Sequence, residues 1–204
     1  MIAAEEYQPL SEGLLLWQAF DPKAKAELFS TAGRTPQGTI LIDPISLTDP
    51  ALEQLAAEGP LGGIVVTNAN HWRASADFAR RFSISLFAHP DAGATADGPF
   101  EPVIDGQQIF GSIDVIAIPG GAPGEIALHF PDKKESLVMG DALIHFEPHG
   151  FALLPAKYCV DQKQMRQSLR KLLPFRAERM LFAHGTPLLA GAGDRLQHLL
   201  DHDD

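Results

Sequence analysis

The first 90 residues show short apolar runs separated by turn residues, with two stretches of helical periodicity among them. Leu52, Leu55 and Ala56 recur at the spacing of one helix face after Asp49-Pro50, and a second helix is predicted over about 73–81. The other runs are rich in β-branched and aromatic residues and are bounded by Pro, Gly and Asp, which is typical of strands. The predicted strands are 14–20, 27–30, 39–42, 64–66 and 84–87.

From residue 103 onward the apolar runs lie closer together, with turn signals between them, which predicts an antiparallel meander. Its strands are predicted at 103–104, 108–110, 113–118, 126–130 and 137–139. A helix over about 161–173, a strand at 180–182 and a helix over 194–200 follow. Because strands and helices occur in each half of the chain, we predict a single domain over residues 1–204, in which two sheets have helices outside them.

Composition and charge exclude several classes of function. The chain has 16 Lys and Arg against 26 Asp and Glu, a net charge of −10, and no basic cluster. Nucleic acid and anionic membranes are therefore not expected partners. The N-terminal residues lack the features of a signal peptide and no apolar run is long enough for a membrane span, so we expect a soluble, cytoplasmic protein. The single cysteine, Cys159, lies in an apolar stretch and is predicted to be a buried, inert thiol.

Four segments place polar residues directly after a predicted strand, where ligands of α/β sheets usually bind. They are Thr67-Asn68-Ala69-Asn70-His71-Trp72-Arg73, Pro119-Gly120-Gly121-Ala122-Pro123-Gly124-Glu125, Gly140-Asp141 and Ala183-His184-Gly185-Thr186-Pro187. With the strand end Leu41-Ile42-Asp43-Pro44 they form an ordered set of five. None of them contains the Gly-x-Ser-x-Gly elbow of a serine hydrolase, so covalent serine or cysteine catalysis is not expected.

In this order the five segments resemble the metallo-β-lactamase-like hydrolase superfamily, which includes glyoxalase II-like thioesterases, lactonases and nucleases. Thr67–Arg73 is similar to its His-x-His-x-Asp-His segment, Pro119–Gly124 to Pro-Gly-His-Thr-Pro-Gly, Gly140-Asp141 to the Gly-Asp of the bridging carboxylate, and His184 to the last histidine. The resemblance covers about residues 13–190. It implies a four-layer αββα sandwich of the α/β class, with a metal site built on the loops.

The ligand positions depart from that pattern. Where the resemblance implies the three histidines of the first metal ion, this chain has Asn68, Asn70 and Gly121. Around the second metal position Trp72 and Arg73 replace ligands, and only Asp141 and His184 are kept. Catalytic zinc normally needs three protein ligands, and amide oxygens are poor substitutes for imidazole. We therefore expect the usual dinuclear site to be lost and no cofactor at the usual positions.

Three hypotheses follow for a hydrolase-like chain of unassigned substrate. In the first, Arg73 pairs with Asp141 in place of the metal, and His184 and Asn68 complete a polar floor. In the second, His71 turns in to join Asp141 and His184, and one divalent ion (zinc, iron or manganese) serves hydrolysis of a small ester, thioester or lactone. His71 is out of phase with the ligand positions at the opening of a helix, where a solvent-facing or capping role is the commoner one.

In the third hypothesis the chain is a non-catalytic ligand-binding or interaction module, in which Trp72 plugs the space of the ions or stacks on a ligand. A small-molecule ligand is the expected partner, and the sequence leaves a homo-oligomer open. Asp43 is predicted to orient the neighbouring loop, and Asp141 with His184 to carry any retained chemistry. The predicted pocket residues are Asp43, Asn68, Asn70, His71, Trp72, Arg73, Gly121, Asp141 and His184.

The remaining histidines are predicted to lie outside the site. His145 and His149 flank Glu147 and Pro148, which favours a rim loop over a metal site. His89 is predicted in a loop, and His198 and His202 on a solvated face near the end of the chain.

Overall fold

The first sheet is formed by the N-terminal half of the chain. A computed structural model describes residues 3–11, 13–22 and 25–202. The seven strands of this sheet lie side by side in chain order: β1 (Gln8–Ser11), β2 (Leu14–Asp21), β3 (Ala26–Thr35), β4 (Gly38–Ile42), β5 (Leu61–Val66), β6 (Leu86–Ala88) and β7 (Glu101–Pro102). The first four are antiparallel, and β4 to β7 run parallel.

The second sheet has five strands in the order β14-β11-β10-β9-β8. It contains β8 (Gln108–Ile109), β9 (Ile113–Ala117), β10 (Ile126–Phe130), β11 (Ser136–Met139) and, after the hairpin β12 (Leu143–Phe146) and β13 (Gly150–Leu153), β14 (Arg179–Phe182). β8 to β11 form the predicted antiparallel meander, and β14 joins β11 in parallel.

The helices cover the outer faces of the two sheets. They are α1 (Asp49–Ala57), α2 (Ser75–Phe82), α3 (Gln162–Leu169) and α4 (Ala192–His202). A 3-10 helix, Arg170–Phe175, continues from α3 and contains Pro174, so the predicted helix over 161–173 is α-helical only in its first part. No helix in the described part of the chain is long and apolar enough to cross a membrane.

Strand alternation explains the four layers. Ile40 and Ile42 of β4 point to the cluster between the two sheets, whereas Leu41 between them joins the cluster under α1 and α2. In the second sheet Val138 points inward, and Leu137 belongs to the cluster that packs on α3 and α4. The predicted αββα sandwich is thus confirmed.

One strand is wrongly placed in the sequence prediction, and one hairpin is missing from it. The run at 103–104 is not part of the meander: the preceding residues form β7 of the first sheet, and Val103 N–H still bonds to Ala88 O at 2.9 Å. The hairpin β12–β13 was not predicted, because His145, Glu147 and Pro148 interrupt its apolar pattern. The chain therefore leaves the first sheet only after residue 103, whereas the apolar pattern predicts that residues 103–104 already belong to the second sheet.

Candidate functional site

Four strand ends meet at one edge of the sandwich. β4 ends at Ile42, β5 at Val66, β11 at Met139 and β14 at Phe182, and in each parallel pair the carboxyl ends lie together. Backbone hydrogen bonds join the two sheets here, including Phe29 N–H to Ala183 O at 3.0 Å. The polar segments that follow these strands therefore converge, as the sequence predicts.

Asp43 and Thr67 fix the ring of His71. Asp43 Oδ2 and Thr67 Oγ1 each lie 2.9 Å from His71 Nδ1, and Asp43 Oδ1 accepts the Thr67 N–H at 2.8 Å. A carboxylate beside Nδ1 favours the tautomer with the proton on that nitrogen. His71 is only 2% exposed. Because Nδ1 faces Asp43, the other nitrogen, Nε2, faces Asp141.

His71, Asp141 and His184 form a compact cluster. Asp141 Oδ1 lies 3.1 Å from His71 Nε2 and 3.3 Å from His184 Nε2. One ligand atom from each of the three residues lies within 4.8 Å of the others, and within the described chain this is the one group of three such residues close enough for a metal ion. His71 Nε2 is buried and makes no hydrogen bond of acceptable geometry in this arrangement. An orphaned imidazole nitrogen facing a carboxylate and a second imidazole fits a bound cation.

The electrostatics of the cluster follow from these contacts. Burial lowers the pKa of His71, but the carboxylates of Asp141 and Asp43 outweigh it and raise the pKa to about 9. Burial would raise the pKa of Asp141, yet His71 and His184 lower it well below its ordinary value. Burial is the main reason that the pKa of His184 is lowered. Without a metal ion, the carboxylate of Asp141 is thus compensated by the imidazolium of His71.

Arg73 does not pair with Asp141, so the first hypothesis is wrong in this respect. Its Nη1 donates to the carbonyl oxygens of Phe29 (2.6 Å) and Asp43 (3.0 Å), and Nη2 donates to that of Ala183 (3.3 Å). These carbonyls belong to β3 and to the residues that follow β4 and β14. The guanidinium therefore connects strands of both sheets behind the cluster.

The residues in the positions of the first metal ion are tied together by hydrogen bonds. Asn68 is fully buried, its Oδ1 accepts the Asn70 N–H at 2.9 Å, and its Nδ2 donates to Glu125 Oε2 at 2.8 Å. Asn70 Nδ2 donates to Asp141 Oδ2 at 3.1 Å. Gly121 lies beside Glu125: a Cβ atom added to Gly121 would lie 2.9 Å from Glu125 Cγ.

Glu125, like Thr67, is a site residue absent from the predicted pocket residues. Its side chain is buried, and its two oxygens accept hydrogen bonds from Asn68 and from the N–H of Ala142 (2.9 Å). Burial and the neighbouring Asp141 raise its pKa to about 8 against the opposing effect of those hydrogen bonds. The available signal was its place at the end of the Pro119–Gly124 segment, directly before a strand of largely apolar character.

Trp72 lies away from the ligand cluster. Its Nε1 donates to Ala92 O at 3.1 Å, and its ring contacts Phe100 with centroids 5.4 Å apart. It belongs to the core cluster under α1 and α2. Trp72 therefore packs against the 3-10 helix Pro90–Thr95, and these contacts do not place it in the space of the ions.

A cavity of about 600 Å³ opens beside His184. Its lining residues include Phe20, Phe29 and Phe146, together with the charged residues Lys25 and Glu27. Phe20 is 47% exposed and Phe146 39% exposed, so apolar surface faces solvent at this position. The cavity gives a small molecule access to the exposed side of the cluster.

The other histidines and the cysteine lie where their contacts are structural. The rim loop predicted around His145 and His149 is wrong for His145, which lies in β12 with its Nδ1 2.7 Å from Thr186 O, whereas His149 lies in the turn between β12 and β13. His89 Nδ1 accepts the Asp91 N–H at 3.2 Å. Cys159 is half-buried, not buried as predicted; its Sγ donates to Leu154 O at 3.4 Å, and burial raises the pKa of its thiol.

Comparison with known proteins gives a consistent result. The sequence profile of the metallo-beta-lactamase superfamily matches residues 10–202. The crystal structure of DIM-1 metallo-beta-lactamase exposed to ceftazidime is 15% identical, with 100% of both chains covered and a TM-score of 0.77. TTHA1429, a metallo-beta-lactamase family protein from Thermus thermophilus, is 21% identical over 95% of this chain and 80% of its own, with a TM-score of 0.69.

TTHA1623, solved in a di-iron-bound form, is 23% identical over 79% of this chain and 89% of its own, with a TM-score of 0.64. At these identities the solved structures show a shared fold. A search of curated proteins finds no match.

Proposed function

Because the chain belongs to the metallo-beta-lactamase superfamily, we propose that it is a hydrolase whose site holds one divalent metal ion through His71, Asp141 and His184. The observation that carries this proposal is the convergence of one ligand atom each of His71, Asp141 and His184 within 4.8 Å, in which the 3.1 Å contact of His71 Nε2 with Asp141 Oδ1 lacks hydrogen-bond geometry. A buried imidazole nitrogen normally has a partner, and a cation between the three side chains supplies one.

The ligand set fits a mononuclear site. Two imidazoles and one carboxylate are sufficient for a divalent ion with positions open to substrate. Ligand bonds of about 2.1 Å place neighbouring ligand atoms roughly 3–4 Å apart, and the three ligand atoms here lie within 4.8 Å of one another. Asp43, which holds His71 through Nδ1, is the outer carboxylate that metal-binding histidines commonly have.

The chain's own residues fix the geometry of such a site. An ion bound there supplies Lewis-acid activation of water and of a carbonyl oxygen. Asn70 donates to one oxygen of Asp141, so the other oxygen faces both imidazoles. His184, whose side chain is 23% exposed, contacts Asp141 and also lines the cavity. A substrate bound in the cavity would therefore lie next to the cluster.

The cavity favours small esters, thioesters or lactones with an apolar acyl part. Phe20, Phe29 and Phe146 offer aromatic surface beside His184, and burial of an apolar group against them is favourable. The net charge of −10 disfavours anionic polymers as substrates.

Metal content per chain tests this proposal. Protein purified without chelator and without a metal-affinity tag should contain close to one equivalent of zinc, iron or manganese. The variants His71→Ala and His184→Ala should lose it, whereas His89→Ala removes an imidazole from a loop and should keep it. Titration of the metal-free protein with zinc or manganese gives the affinity, which should be tighter than micromolar.

Wild-type protein that contains no metal and binds none would overturn the proposal. The contacts of Asp141 with His71 and His184 would then be sufficient to stabilise the three buried side chains without a cation. In that case the chain is a ligand-binding module, and small apolar acids and esters should bind at the cavity without turnover.

A further inference from the structure

Glu125 is a buried acid at the start of an apolar strand. It is 3% exposed, and within the described chain it forms no ion pair. Its carboxyl group accepts from Asn68 Nδ2 at 2.8 Å and from Ala142 N–H at 2.9 Å. Burying a carboxyl group costs free energy, so its presence here needs a reason.

The position of the side chain gives that reason. Glu125 lies between Asn68 and Gly121, two of the three positions at which the superfamily resemblance places imidazoles for the first metal ion. A Cβ on Gly121 would be 2.9 Å from Glu125 Cγ and 3.1 Å from its Cβ, and a Cβ on Gly140 would be 2.6 Å from its Oε1. At Gly121 all three nearest atoms belong to Glu125, whereas a Cβ on Gly140 would also meet Thr67 Oγ1 at 2.7 Å and Asn68 Nδ2 at 3.0 Å, so Gly121 is the glycine that makes room for Glu125 in particular.

We infer that Glu125 closes the position of the first metal ion, that of Asn68, Asn70 and Gly121, and takes over that ion's role of holding Asp141 in place. It acts from two sides. Through Ala142 N–H it fixes the backbone directly after Asp141. Through Asn68, whose Oδ1 accepts from the N–H of Asn70, it positions the amide that donates to Asp141 Oδ2.

The chemistry of the acid agrees with this role. Burial raises the pKa of Glu125 to about 8, so near neutral pH the group is largely protonated and needs no counter-ion. The inference concerns the neighbouring position, not the cluster of His71, Asp141 and His184. It holds whether or not that cluster binds a metal ion.

A double-mutant cycle tests whether Glu125 fills this space. Gly121 has no left-handed φ, and the nearest atoms to its Cβ all belong to Glu125. Gly121→Ala should therefore lower the melting temperature by about 2–4 °C when introduced into the wild type. In a Glu125→Ala background it should have almost no effect. Gly33→Ala, whose Cβ would meet Phe130 instead, is the control and should cost the same in both backgrounds.

Additive effects of Gly121→Ala and Glu125→Ala would overturn the inference, because the two positions would then not share the space.

Metal stoichiometry tests the closure directly. Imidazoles are restored in the triple variant N68H/N70H/G121H, with Glu125 present in one protein and replaced by Ala in the other. Elemental analysis after zinc loading should find one more equivalent in the protein that lacks Glu125. Equal counts in two folded proteins would contradict the inference, and if either variant fails to fold, the double-mutant cycle decides.

The two proposals fail separately. The metal content of the wild type tests the single ion at His71, Asp141 and His184. The difference between the two restored variants tests the closure by Glu125, whatever the wild type contains.

Discussion

Asp43 makes three hydrogen bonds with two oxygen atoms, and this decides which way His71 points. Oδ1 accepts the Thr67 N–H, and Oδ2 faces both Thr67 Oγ1 and His71 Nδ1. Asp43 also has a left-handed φ of 48°, which is unfavourable for a residue other than glycine. The surrounding hydrogen bonds hold this conformation, which places the carboxylate behind the imidazole.

Asp43→Asn should weaken metal binding without removing a ligand. The amide nitrogen of Asn cannot accept a hydrogen bond. Depending on the orientation of the amide, the side chain loses either the Thr67 N–H or both Thr67 Oγ1 and His71 Nδ1 as donors. Loss of such an outer carboxylate typically lowers metal affinity 10–100-fold. Zinc affinity, measured by competition with a chromogenic chelator, should fall by about that factor. Asp49→Asn, on the exposed start of α1, should leave it unchanged, and an unchanged affinity in Asp43→Asn would contradict the assigned role.

Sequence reasoning identified most of the residues at or beside the cluster but mistook how some of them act. It predicted Asp43 as an orienting residue, and the contact with His71 Nδ1 agrees with that. It favoured a capping or solvent-facing role for His71, whereas the structure buries the ring beside Asp141. The direction of a side chain in a loop depends on partners distant in sequence, and Asp43 is 28 residues away.

Arg73 acts at the level of elements, because its guanidinium connects strands of both sheets. Its three acceptors are carbonyl oxygens at Phe29, Asp43 and Ala183. Arg73 itself has a left-handed φ of 41° and precedes Ala74, the N-cap of α2. The side chain can reach these carbonyls only because the loop turns it away from Asp141.

Arg73→Ala should destabilise the fold by about 1–3 kcal/mol, since it leaves carbonyl oxygens without a donor. Arg73→Lys should recover part of the loss, because an ammonium group cannot reach all three acceptors at once. Chemical denaturation measures both. Arg80→Ala, an exposed position of α2, is the control and should change stability by less than about 0.5 kcal/mol. A loss no larger than that of the control would show that the carbonyl contacts contribute nothing.

For the whole molecule, the coupled acids and bases of the site make stability depend on pH. His71 has a pKa raised from 6.5 to about 9, so its contribution is complete below pH 6.5 and is lost as the pH rises to 9. The pKa of Glu125 is raised from 4.5 in the unfolded chain to about 8 in the folded protein. Between these values the unfolded state loses the proton first, so stability falls as the pH rises. Both groups act in the same direction between pH 6.5 and 8.

The metal-free protein should therefore lose stability from pH 6.5 to 8, on the order of 1–2 kcal/mol per pH unit. Urea denaturation in the presence of chelator at a series of pH values measures this slope. Glu125→Ala should make the slope shallower, because one of the two groups is removed. A flat profile in the wild type would contradict the raised pKa values.

Most of the strands, the helices and the order of polar segments at their ends could be predicted from the residues alone, because side-chain alternation and turn residues act over a few positions. The resemblance of these segments to the metallo-β-lactamase superfamily implied the αββα sandwich, and their place at strand ends predicted that Asp43, Asp141 and His184 converge at one edge. Three features became visible only in the folded chain: His71 turns inward, Arg73 binds backbone carbonyls, and Glu125 fills the space beside Gly121. Each of these depends on contacts between segments far apart in the chain, which no local pattern specifies.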